Sequence, residues 1–141
     1  MSNCQLRISG PFLLVSEVIK SSSIPLVESS FCASERRRGR ILDHEPTTFH
    51  LAVSEADGEH VPVQVREAEL FVRNNLKDLS RILTTEGVMG GVLDFGWDVP
   101  EKQLGPWTSF PVSLLHACAE AGLGINVSVY VVDGYAQEPN Q

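Results

Sequence analysis

Apolar and polar residues alternate along Cys4-Gln5-Leu6-Arg7-Ile8-Ser9, the period of a half-buried strand, and Gly10-Pro11 then interrupts it. Leu14, Val15, Val18 and Ile19 recur at helical spacing with Ser16, Glu17 and Lys20 opposite, which predicts a short first helix. Residues 26–46 hold no sustained period and read as loop. Alternation returns from Thr47 to Ser54, with Phe49, Leu51 and Val53 on one face; Arg40 to His44 is a candidate hairpin partner for this strand. Glu55, Asp57, Gly58 and Glu59 make the next segment a solvated turn.

The longest regular signal begins at Val65. Val65, Ala68, Val72, Leu76, Leu79 and Leu83 follow at intervals of three or four and predict one continuous amphipathic helix, stopped at Glu86-Gly87. A strand follows from Val88 to Trp97, with Leu93, Phe95 and Trp97 on one side and a bulge or close backbone approach at Gly90-Gly91. Residues 98–108 read as a structured loop. A third helix is expected from Phe110 to Ala121, with Gly122 near its end. The last strand covers Gly124 to Val131, and its alternation places Ile125, Val127, Val129 and Val131 inward.

Every strand except the one from Val88 to Trp97 carries a clear polar face, which argues for a sheet covered by helices on one side only. The expected fold class is α+β: a single domain over residues 1–134 with four or five mostly antiparallel or mixed strands, two main helices and a short first one, and a flexible tail over 135–141. A chain of 141 residues is long enough for one core of this kind.

The opening strand LRISG, the helix ending LKDLSRIL, and the run PVSLLHACAEAGLGINVSVYV resemble the small bacterial family catalogued as domain of unknown function 4279. The resemblance extends over nearly the whole chain and is carried by hydrophobic spacing. It implies a compact α+β fold and no established chemistry, so it assigns no catalytic residue.

Charge changes the picture in one place. Eighteen acidic residues against eleven basic ones give a net charge of −7, which opposes generic binding to nucleic-acid phosphates. Yet Arg36, Arg37, Arg38 and Arg40 crowd four cations around Gly39, a composition suited to an anion or to a solvated loop. Three scattered cysteines, Cys4, Cys32 and Cys118, fit neither a disulfide framework nor a zinc site and point to a reducing cytoplasm. No apolar run is long enough to span a membrane, and no phosphate-loop motif or metal-ligand spacing is present, so no cofactor is expected.

The period of two places Gln5, Arg7, Thr48, His50, Asp94, Asn126, Ser128 and Tyr130 on the sheet face away from the helices. From this set Arg7, His50, Asp94, Asn126 and Tyr130 are the candidate binding residues, together with the four arginines and Trp107, whose indole could anchor a partner. An enzymatic alternative would pair His50 with Asp94 and use Ser54 or Ser128 as nucleophile, but no nucleophile-elbow motif supports it. The expected function is an interaction domain acting on a protein partner or a second copy of itself, of the immunity or adaptor type. The runner-up is a small-molecule or anion sensor.

Overall fold

The computed structural model describes residues 3–29, 46–102 and 108–133. Arg36, Arg37, Arg38, Arg40, the Arg40–His44 hairpin partner, Cys32, Trp107 and the 135–141 tail lie outside the described residues. The fold is α+β, with the elements β1 (Cys4–Pro11), α1 (Phe12–Lys20), β2 (Val27–Glu28), β3 (Pro46–Ser54), α2 (Val61–Asn74), α3 (Leu76–Leu83), β4 (Gly90–Pro100), α4 (Val112–Ala121) and β5 (Leu123–Val132). The sheet is open and mixed, in the order β2-β3-β1-β4-β5. β1 runs antiparallel to both β3 and β4, and β5 runs parallel to β4.

The first strand of the chain is thus the central one. Cys4, Leu6 and Ile8 alternate inward and are fully buried, where they meet Leu93 and Phe95 of β4 and Phe49 of β3 in the core cluster. All four helices contribute to the same cluster: Val15 and Ile19 from α1, Val65, Ala68 and Val72 from α2, Leu79 and Ile82 from α3, Leu114 and Cys118 from α4. One face of the sheet is therefore covered, as its polar-apolar alternation requires.

The continuous helix expected from Val65 to Leu83 is two helices. The chain breaks at Asn75 (φ −119°, ψ 17°), whose Nδ2 donates to Phe71 O at 2.9 Å. An asparagine amide competes for backbone partners in this way, which is why Asn74-Asn75 is a weak point in a helix. Because Leu79 N still donates to Asn75 O, α3 starts at once and the apolar stripe continues across the break. The fifth strand is Val27–Glu28, short and paired with His50 and Phe49 in a segment whose sequence shows no strand period.

Two glycines fix the packing. A Cβ on Gly91 would stand 2.7 Å from Leu83 Cδ2, so its absence lets α3 close on the start of β4. Gly122 takes a left-handed φ of 83° at the end of α4, and this turns the chain directly into β5. Gln64 clamps the 55–60 turn: its fully buried Nε2 donates to Ala56 O, Asp57 O and Gly96 O at 2.9–3.1 Å. Within that turn Asp57 Oδ1 accepts from Glu59 N and lies 2.7 Å from His60 Nδ1. The bond to His60, more than any other contact, holds the Asp57 carboxyl below its usual range.

Candidate functional site

Two surfaces stand out, one on each side of the sheet. The uncovered face carries the polar half of every strand. In register, Gln5 and Asn126 flank Asp94 on the neighbouring strands, and His50 stands opposite Arg7. Asp94 is the centre of this face. Its Oδ2 lies 3.3 Å from Arg7 Nε, and its Oδ1 accepts from Ser128 Oγ at 2.7 Å, which ties β1, β4 and β5 by side chains as well as by backbone. The Asp94 side chain is 13% exposed and that of Arg7 44%, so the pair sits between the buried and the freely solvated cases.

Towards the other end of β1, Ser9 Oγ and Thr48 Oγ1 lie 3.1 Å apart on adjacent strands. They and Arg7 border a shallow concavity of about 450 Å³ that also reaches Met89, Gly90 and Val92. Tyr130 and Asn126 are exposed on β5, beyond the Arg7–Asp94 pair. Of the sequence candidates, the structure brings Arg7 and Asp94 into direct contact and places His50 beside Arg7. Asn126 and Tyr130 share the face without touching that pair through any hydrogen bond among the described residues.

The enzymatic constellation does not assemble. β1 separates His50 on β3 from Asp94 on β4, and both carboxylate oxygens of Asp94 are already engaged. Ser54 lies on the covered side, 2% exposed, and its Oγ accepts from Ala56 N. The two described cysteines are poor nucleophiles as well. Burial, then the charge of Asp94, drives the Cys4 thiol far above its ordinary range; burial, then Glu69, pushes Cys118 up to about 11. This face is equipped to bind by charge and hydrogen bonding.

The second surface is the far end of the sheet, and here the inward placement of the last strand needs correction. Ile125, Val127, Val129 and Val131 do point to the helix side, level with Leu93, Phe95, Trp97 and Val99 of β4. But Val127, Val129 and Val131 are 39%, 56% and 71% exposed. Length explains it. α4 has ten residues and spans about 15 Å, whereas β5, also ten residues, spans about 33 Å. A helix half as long as its strand leaves the last valines bare.

Phe110 restores part of the cover by packing on β4, its ring centroid 5.1 Å from Phe95 and 5.9 Å from Trp97. Among the described residues no strand pairs with the outer edge of β5, and Val112 and Leu115 of α4 are exposed as well. Alternation in the sequence hid this surface. The mismatch follows from rise per residue, since a helix advances less than half as far as a strand of equal residue count.

No described helix is long and apolar enough to cross a membrane. Comparison with protein-family models, with curated proteins and with solved structures finds no match to this chain.

Proposed function

We propose that this chain is an interaction domain that acts through strand pairing at the outer edge of β5, with a second copy of itself as the first partner. The observation that carries the reading is the exposed valine row on an edge with which no described strand pairs. Proteins ordinarily guard such an edge with a charge, a proline or a bulge, because its open N–H and C=O groups template pairing. Leu123–Val132 contains no charged residue and no proline. In a chain of net charge −7, this is where two copies can meet without like-charge repulsion.

Antiparallel pairing of two identical strands is self-complementary and closes with two-fold symmetry. A crossing centred on Val127 pairs odd positions with odd positions, which puts the valines of both copies on the same side of a continuous sheet, where they shield one another. A strand from a different protein would use the same backbone groups, which is how an adaptor or immunity-type role would be served. Membership of the family catalogued as domain of unknown function 4279 would be compatible with this reading and would add no chemistry to it.

Light scattering coupled to size exclusion tests the proposal across a dilution series. The expected result is a dimer for the native chain and a monomer for Val129→Lys, with an unchanged far-ultraviolet circular dichroism spectrum. A native chain that stays monomeric throughout the series overturns self-pairing.

A further inference from the structure

The concavity beside Arg7 is built differently from the rest of the uncovered face. Arg7 is oriented from behind: Asp94 holds its Nε edge, and Ser128 fixes Asp94 in turn. A guanidinium held on one edge presents the other with little further loss of side-chain freedom, the arrangement that suits planar oxyanions. Ser9 and Thr48 line the same concavity. One hydrogen bond between two hydroxyls uses one of their two protons, so the pair still has a donor to offer.

Gly90 lines the concavity without a side chain. Its φ of 149° disfavours any side chain, and a Cβ there would meet nothing within 4 Å, so backbone is presented directly to the concavity. The rim at this point is fastened by Met89 N, which donates to Ser9 O at 2.9 Å. Met89, 66% exposed, and Val92, the cross-strand neighbour of Arg7, supply the apolar lining of the concavity. The volume of about 450 Å³ falls within the range of small-ligand sites.

Asp94 offsets part of the charge on Arg7, which favours a singly charged head over a polyphosphate. We propose that this concavity binds a small amphiphilic oxyanion, its charged head on Arg7, Ser9 and Thr48 and its apolar body against Met89 and Val92. The site lies on the face away from the exposed valines of β5, so it stands independently of the strand-pairing proposal.

The test is an amide-resolved NMR titration of the full chain with hexanoate, hexyl phosphate and, as a neutral control, hexanol. Saturable shifts centred on Ser9, Thr48 and Gly90–Val92 with either anion, absent with hexanol, are expected; the tighter of the two distinguishes a carboxylate from a phosphate head. Arg7→Gln should weaken binding by about tenfold or more, and Arg7→Lys by less. Because Arg7→Gln also breaks the pair with Asp94, Met89→Asp provides a second reading: it leaves that pair intact, sits on the exposed rim and should repel the anion. Shifts that fail to saturate, equal shifts from hexanol, or affinity unchanged in both Arg7→Gln and Met89→Asp would overturn the proposal.

Discussion

β1 and β5 are written in the same code and live in different environments. Each alternates strictly, yet Cys4, Leu6 and Ile8 are fully buried whereas Val127, Val129 and Val131 grow more exposed along the strand. β1 has a strand on both sides and helices above it. Among the described residues β5 has a strand on one side only, and its later valines stay exposed. The difference teaches that alternation assigns a face and says nothing about cover, which depends on how far the neighbouring elements reach. Where cover stops, an apolar side chain becomes a candidate contact for another chain.

Mutations at the two ends should separate accordingly. Leu6→Ala is expected to cost about 3–4 kcal/mol in urea unfolding, because it leaves a cavity under packed helices, while Val129→Ala should cost less than about 1 kcal/mol in the monomer. Similar losses at the two positions would break the contrast between them. Gln64→Leu comes next, at about 2 kcal/mol, since it fits the buried volume but deprives the carbonyls of Ala56, Asp57 and Gly96 of their donor. Retention of native stability by that variant would mean that these carbonyls find another partner.

A further effect concerns pH. Cys118 has its folded pKa raised from 9.0 to about 11, so above pH 9 the unfolded chain gives up this proton before the folded one does. The folded state then holds more protons, and stability must fall between pH 9 and 11. Cys118→Ala should show a shallower loss across that window in paired thermal melts. Parallel curves for the two proteins would show that this thiol stays protonated, or ionises, equally in both states.

Much of the fold was legible because it rests on side-chain period. The strands around Leu6, Phe49, Phe95 and Val127 and the helices around Ala68 and Leu114 all appear where periodicity places them, and so does the division of the sheet into two faces. The break at Asn75 was not legible, because the apolar phase survives it; only the adjacent asparagines marked it. Val27–Glu28 was not legible either, since two residues cannot display a period and their strand is defined by its partner, β3.

The candidate site was legible by residue and illegible by contact. Period assigned Arg7, His50, Asp94, Asn126 and Tyr130 to one face, but the order β3-β1-β4 decides that Asp94 meets Arg7 and that His50 does not reach it across the intervening strand. Strand order is a long-range property, and nothing local encodes it. For the same reason the contact between Ser9 and Thr48 has no signature in the sequence.

The placement of β1 at the centre of the sheet has a kinetic consequence. Leu6 finds one neighbour in Leu51 and the other in Leu93, so the first strand to be made must remain unsatisfied on one edge until the chain has been extended through β4. Closing so large a loop is entropically expensive, and topologies dominated by such distant pairings fold slowly for their size. During synthesis, β1 and β3 would form at most a meander with a sticky edge. The commitment to the native sheet belongs to the moment at which β4 docks.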